Sequence, residues 1–134
     1  MKYVVIILAA LFTCTLADGQ NLVGYNAAGI RNYMAGNSSD LRNVKVTNDL
    51  FRYLKYTDYS DNQTILFFLS ADSVCRNIRM IYDPSLRKNK IMELNSSYKR
   101  IDESKWLDNR DGKEFLVEMF DEQWSLVVTI GPKQ

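Results

Sequence analysis

The chain of 134 residues carries 17 lysines and arginines against 16 aspartates and glutamates, and it contains no histidine. A nearly neutral chain argues against partners found by long-range attraction, such as nucleic acid or an anionic membrane. The lack of histidine removes the usual general base at neutral pH, the Ser-His and Cys-His nucleophiles and the commonest metal ligand.

The first 17 residues have the layout of a secretion signal. Lys2 supplies a positive charge, residues 3–12 are apolar, and small residues follow up to Ala17. A membrane anchor needs about 20 apolar residues, which is more than this run provides. We therefore expect cleavage after Ala17 and a single β-rich extracellular domain over 18–134, whose formal net charge falls from +1 to zero with the loss of Lys2.

A short helix is predicted ahead of the strands. Ile30, Tyr33 and Met34 recur at the i, i+3, i+4 spacing of one helix face, which predicts a helix over 26–34. The Gly-Asn-Ser-Ser-Asp cluster at 36–40 ends this helix. Alternating or continuous apolar runs then predict strands at 44–47, 50–56, 64–69 and 74–82.

The rest of the chain continues in the same pattern. A short β-like segment at 90–94 is followed by a strand that starts at Tyr98 and reaches Leu107. The turn cluster at 108–112 ends in Asp-Gly, which favours a tight hairpin, and strands at 114–120 and 124–130 follow. About seven short strands predict a mainly β fold, a short N-terminal helix followed by an antiparallel meander. A lipocalin-like barrel is favoured over an α+β sheet.

Three Asn-x-Ser/Thr sequons begin at Asn37, Asn62 and Asn95. Because a glycan needs a surface position, each sequon also predicts a surface turn. Downstream of a secretion signal, the three together predict a secreted glycoprotein.

Acidic pairs are the main candidates for catalysis. Asp102 with Glu103, Glu114 with Glu118, and Asp121 with Glu122 could hydrolyse a sugar if they flanked it. On alternating strands such acids usually form the solvated face of the sheet. Since the chain also lacks a Gly-rich phosphate loop, we expect no enzyme, no cofactor and no metal site.

The aromatic side chains suggest a different kind of site. Most of them fill a core in the simplest interpretation, because aromatics favour strands. A barrel can also leave a cavity for one small ligand. The candidates for lining such a pocket are Tyr53, Phe67, Tyr82, Trp106 and Trp124.

Cys75 is the only cysteine that remains after removal of the predicted signal. On a regular strand it shares a face with Asn77 and Arg79, while Val74 shares the other with Ile78, so Cys75 is expected to point outward or into a polar cavity. An exposed lone thiol in an oxidising compartment predicts a disulfide-linked dimer, whereas a buried one would be an inert small hydrophobe.

The order of a strand cysteine at Cys75, then Tyr98-Lys99, then Trp106 resembles the tick-type salivary lipocalins of arthropods. In that comparison the helix at 26–34 precedes the barrel and 50–56 is its aromatic strand. The Gly-x-Trp signature common to lipocalins is absent. The resemblance implies sequestration of small amines or lipids, or binding of a host defence protein.

The sequence therefore leaves two alternative functions. One is a secreted, non-enzymatic lipocalin-like protein that sequesters a small hydrophobic or amine ligand. The other is a secreted glycoprotein that acts through its surface on an extracellular protein, as an inhibitor or as a signalling, reproductive or salivary factor. A cystatin-like α+β inhibitor is one form of the second, although the Gln-x-Val-x-Gly wedge of cystatins is absent.

Overall fold

The computed structural model describes residues 21–37, 40–45, 52–60 and 62–133. The predicted signal peptide lies outside these residues. The elements, in chain order, are α1 (Ala27–Asn37), β1 (Leu41–Val44), β2 (Tyr53–Asp58), β3 (Gln63–Leu69), β4 (Cys75–Tyr82), a 3-10 turn (Pro84–Leu86), α2 (Arg87–Ser97), β5 (Lys99–Asp102), β6 (Lys105–Arg110), β7 (Lys113–Glu122) and β8 (Ser125–Pro132).

All eight strands form one antiparallel sheet in the order β1-β2-β3-β4-β8-β7-β6-β5. Two four-stranded meanders thus meet at the central pair, β4 and β8. The predicted mainly β fold with a leading helix is confirmed. In the described part of the chain β1 and β5 are the outer strands and do not pair with each other, so the sheet is open and a barrel is not confirmed.

The same element order occurs twice along the chain. Each half consists of an 11-residue helix followed by four strands, and the central strands β4 and β8 each have 8 residues. When the halves are aligned on the Asn-Ser-Ser sequons at Asn37 and Asn95, Met34 falls on Met92 and Arg42 on Arg100. No such repeat is evident from the sequence, because only a few side chains coincide.

The second helix corrects the sequence-based prediction. Residues 90–94, interpreted above as β-like, lie inside α2. The helix turns Ile91 and Leu94 toward the core, at a spacing of three residues that a window of five residues does not reveal. The predicted strand from Tyr98 to Leu107 is instead two strands, β5 and β6, with a turn between them.

Two other boundaries differ less. The first strand is β1 at Leu41–Val44 rather than 44–47, of which 46 and 47 lie outside the described residues. The hairpin at the Asp-Gly pair is confirmed. Asp111 and Gly112 both have positive φ, 51° and 78°, which is the requirement of a type I′ turn.

One face of the sheet carries the core. Buried apolar side chains stand opposite one another across six neighbouring strands, so each covers the next. This row runs from β2 to β6 through Leu54, Phe67, Ile78, Ile130, Val117 and Trp106. Ile30 and Met34 of α1 and Leu94 of α2 belong to the same apolar cluster, so both helices cover this face.

The segment before α1 is tied across the sheet. The Arg110 guanidinium on β6 donates to the backbone carbonyls of Asn21 and Val23, and the Asn21 amide donates to Asp108 over 2.8 Å. In the same segment, the N–H of Gly24 donates to the carbonyl of Cys75 at the start of β4. Leu22 and Val23 are buried as a result.

Candidate functional site

Three of the predicted pocket aromatics lie in the packed core. Trp106, Phe67 and Tyr82 are only 0%, 2% and 3% exposed. A side chain that faces a cavity wide enough for water would keep some accessible area on that side, so these three rings serve as packed core. Tyr53 is half-buried, and its ring lies 5.9 Å from that of Phe68.

Polar groups of α2 complete the surroundings of these core aromatics. The indole N–H of Trp106 donates to Oδ1 of Asn95 over 2.9 Å, and the Lys90 ammonium lies 4.3 Å from the centre of the Tyr82 ring. A buried indole N–H needs such an acceptor, and a cation over an aromatic face is favourable. The two rings therefore anchor α2 to the sheet.

Trp124, the fifth predicted pocket residue, is 82% exposed. It occupies the turn between β7 and β8, where Gln123 has a positive φ of 41°. The indole borders an open depression of about 130 Å³, together with Asn62, Thr64 and Asp83. The structure thus separates Trp124 from the buried set, and only Tyr82 also reaches this depression.

Asp83 gives the depression beside Trp124 a negative charge at neutral pH. Its carboxylate accepts a hydrogen bond from the backbone N–H of Ser85 over 2.9 Å. Hydrogen bonds from the Ser85 side chain and backbone hold the pKa of Asp83 below its usual range. Asn62, whose backbone carbonyl accepts the N–H of Asp83 over 3.2 Å, donates from its side-chain amide to the Ser60 hydroxyl. The Trp124 side chain therefore lies beside a polar rim that includes Asp83 and Asn62.

A second depression, of about 370 Å³, lies on the sheet face opposite the helices. Phe68 and Leu116 provide apolar walls, and Arg79 and Glu118 provide charges. A Cβ at Gly131 would lie 2.5 Å from Oδ1 of Asn77, so a side chain at this position would displace the Asn77 amide.

The expected orientation of Cys75 is wrong. The thiol is free and fully buried, in the same cluster as Ile78 and Met80. In the pairing of β3 with β4, Phe68 faces Asn77 but Leu69 faces Cys75, so Arg76 is an extra residue, a β-bulge. The bulge reverses the alternation and turns Cys75 inward. The predicted intermolecular disulfide therefore has no exposed sulfur to start from in this conformation and stays a prediction.

Burial also changes the chemistry of this thiol. Loss of hydration raises the pKa of Cys75 from 9.0 to about 12, against a smaller opposite effect of its contact with the Asn77 carbonyl. Since the thiolate is the reactive form, the folded protein holds Cys75 in its unreactive state.

All three sequon asparagines are exposed. Asn37 and Asn95 lie near the C-terminal ends of α1 and α2, and Asn62 lies in the turn before β3. Ser38 and Ser39, which complete the first sequon, are outside the described residues. Asn95 differs from the others because its Oδ1 already serves the buried Trp106, while its Nδ2, the atom that carries a glycan, is left available.

Three of the acidic side chains considered for catalysis are used in ion pairs. Glu114 pairs with Lys133 over 3.1 Å, Asp121 with Arg87, and Glu122 with Arg79. Each is an exposed pair of the kind that contributes little to stability. Within the described ranges, no group of three or more acidic or cysteine side chains is placed to hold a metal ion.

No protein-family model, curated protein or solved structure matches this chain. Neither described helix is long and apolar enough to cross a membrane.

Proposed function

We propose that this protein is a secreted, non-enzymatic binding protein that acts through its surface on an extracellular protein partner. The observation that supports this most is Trp124, an almost fully exposed indole at the tip of the β7–β8 hairpin. Tryptophan is the residue type most enriched among the side chains that dominate protein–protein binding energy. Tryptophan is highly buried on average in folded proteins, so an indole at this exposure is unusual.

The surroundings of Trp124 support the same function. Asn62, Thr64 and Asp83 form a polar rim beside the indole, as in interfaces that have an aromatic centre and a hydrated border. Tyr59, in the turn between β2 and β3 at the same end of the sheet, is also highly exposed. The two turns therefore place two exposed aromatic side chains at one end of the sheet.

The test is a pair of matched substitutions. Trp124→Ala removes the proposed anchor, and Met92→Ala removes another exposed apolar side chain, which lies on α2 and does not line the depression beside Trp124. Each purified protein would be tested against an array of secreted and cell-surface proteins, with affinities then measured by surface plasmon resonance. We expect a partner that binds the unchanged protein and Met92→Ala with equal affinity. Its affinity for Trp124→Ala should be at least tenfold lower, a difference of about 1.4 kcal/mol.

A partner that binds all three proteins equally would place the interface elsewhere and contradict the role of Trp124. An array without any specific partner would contradict the proposed function as a whole.

A small hydrophobic or amine ligand is the second candidate function, and the depression on the outer sheet face favours it. Its volume of about 370 Å³ lies within the range of roughly 300–1,000 Å³ for small-molecule sites. Glu118 would pair with an ammonium group, while Phe68 and Leu116 would contact an apolar body. Titration of biogenic amines and fatty acids, followed by the fluorescence of a Leu116→Trp variant, tests this. A flat response to both classes would remove the candidate.

A further inference from the structure

The two outer strands of the sheet are open edges. Among the described residues, β1 pairs with β2 alone and β5 pairs with β6 alone. Such strands present a row of unpaired backbone N–H and C=O groups, on which another chain can add a strand. All four residues of β5 are exposed, including the apolar Ile101, so its surface is accessible to a second copy.

Both edges have the same feature directly before them. Asn37 precedes Leu41, the first residue of β1, by four positions, and Asn95 precedes Lys99, the first residue of β5, by four positions. Four residues span at most about 14 Å, and a strand of four residues is about 13 Å long. A glycan on either asparagine would therefore start within about 14 Å of the first residue of the edge strand.

The third sequon does not share this placement. Asn62 leads into β3, which pairs with β2 on one side and β4 on the other and therefore has no open edge. Each edge strand is thus preceded by one helix-end sequon, and the remaining sequon precedes an interior strand.

Protection by the protein itself differs between the edges. On β5 a register shift interrupts the pairing between Arg100 and Asp102, and the Arg100 side chain donates to the carbonyls of Asp102 and Glu103. Bulges, charges and covered carbonyls are established ways of blunting an edge. On β1 the pairing with β2 is regular over all four residues, and Arg42 is its one charged side chain. The β1 edge therefore depends more on outside protection.

We propose that Asn37 and Asn95 carry N-glycans that shield the two open edges of the sheet and keep the protein from associating edge to edge with a second copy. Bulky, hydrated glycans at these positions exclude a neighbouring strand without occupying the turn of Trp124. This inference depends on export of the chain, and it is independent of the partner and of the ligand considered above.

The test uses protein secreted from eukaryotic cells, with one sequon removed at a time. Asn37→Gln removes the first. The second is removed by Ser97→Ala, because this change leaves the Asn95 amide in place for Trp106. Thr64→Ala, which removes the Asn62 sequon, is the matched control. Intact mass gives the occupancy of each site, and size-exclusion chromatography with light scattering over a wide range of concentration gives the association state.

We expect the unchanged protein and Thr64→Ala to remain monomers. The double variant Asn37→Gln/Ser97→Ala should pass from monomer to dimer or larger as its concentration rises, and Asn37→Gln alone should do so at lower concentration than Ser97→Ala alone. A double variant that stays monomeric at every concentration would overturn the proposal, as would a mass showing that either Asn37 or Asn95 is unglycosylated.

A rescue experiment separates edge pairing from general loss of solubility. Asn43→Lys and Ile101→Lys each place one more charge on an exposed position of β1 or β5. Added to the double variant, they should restore the monomer, because lysine on an edge opposes strand addition. Association that persists with both lysines present would show contact elsewhere on the surface and overturn the proposal, provided that thermal unfolding confirms all variants as folded.

Discussion

The two halves of the molecule have the same element order but attach their helices to the sheet differently. Met34 of α1 and Met92 of α2 fall at the same position when the halves are aligned on their sequons. Met34 is 3% exposed and Met92 is 60% exposed. The same side chain at the same place in a repeated pattern is therefore core in one half and surface in the other.

The two helices differ in the residue that lies two positions after the aligned methionine. In α1 the buried positions are Ile30 and Met34, and Gly36 offers no side chain to bury. In α2 the position aligned with Gly36 is Leu94, which is buried, and Lys90 extends over Tyr82 one turn before it. The buried stripe is thus rotated about the helix axis, although Tyr33 and the aligned Ile91 pack against the core in both helices. Element order alone does not determine which helix face is buried.

The two helix-end asparagines differ in the same way. The Asn37 amide donates to the carbonyl of Tyr33 within its own helix, over 3.0 Å. Asn95 instead accepts the indole N–H of Trp106 from the sheet. One sequon is a local surface feature, while the other is part of the contact between α2 and the core.

The largest expected effect distinguishes the two methionines. Met34→Ala should lower the free energy of unfolding by about 2–5 kcal/mol, because it leaves a cavity between α1 and the sheet. Met92→Ala should change it by no more than about 0.5 kcal/mol, as for an exposed side chain. Urea unfolding followed by circular dichroism measures both. Equal losses would show that α2 packs on the sheet with the same face as α1.

A smaller effect distinguishes the two asparagines, measured on protein produced without glycosylation. Asn95→Ala should cost about 1–3 kcal/mol of unfolding free energy, because it leaves the buried indole N–H of Trp106 without an acceptor. Asn37→Ala should cost no more than about 0.5 kcal/mol. In a Trp106→Phe background, which has no indole N–H, the cost of Asn95→Ala should fall toward that of Asn37→Ala. A cost unaffected by Trp106→Phe would contradict the assigned hydrogen bond.

The third prediction compares the first residues of the two central strands, Cys75 of β4 and Ser125 of β8. Ionisation of the Cys75 thiol should have the smallest effect on stability at neutral pH. Because the pKa of Cys75 is raised from 9.0 to about 12, the folded state holds this proton more tightly than the unfolded state does. Its contribution to stability is complete below pH 9 and is lost as the pH rises from about 9 to about 12. The free energy of unfolding of Cys75→Ala should therefore fall less steeply with pH over this interval than that of the unchanged protein. Denaturant titrations at several pH values measure this.

Tyr98 provides the internal control for that measurement. Burial, and then the nearby charge of Asp108, raise the pKa of its phenol, so part of the alkaline loss of stability should persist in Cys75→Ala. A maleimide should label the native thiol at pH 8 only as fast as the protein unfolds. Rapid labelling of the native protein would show that the bulge does not hold Cys75 inside.

The sequence predicts most strands and the first helix, because these depend on local periodicity. The runs from Thr64 to Leu69 and from Glu114 to Phe120 lie within strands, and the Asp-Gly hairpin has the expected turn. The α2 helix is missed because most of its surface is polar and only Leu94 is fully buried, so the apolar signal is weak. The orientation of Cys75 is missed because one extra residue, Arg76, reverses the alternation and leaves no local mark on the sequence.

The candidate surface could be predicted only in part. Trp124 is recognisable from the sequence as a functional candidate, but alternation cannot distinguish the buried Trp106 from the exposed Trp124, since both fall in predicted strands. Their difference depends on whether a residue lies within a paired strand or in the turn between two strands. The placement of Asn37 and Asn95 at the two open edges depends on strand order, which is a property of pairings distant along the chain.

By itself, the sequence determined the chemistry that this chain can offer: a near-neutral charge, no histidine, a secretion signal pattern, three sequons and enough alternating apolar residues for a β-sheet. These follow from composition and from neighbours a few residues apart. Only the tertiary structure decided that the sheet stays open, that β4 and β8 meet at its centre, that Cys75 is buried and that Trp124 is exposed. Each of these depends on long-range pairing, where the burial of one strand is set by a strand far along the chain.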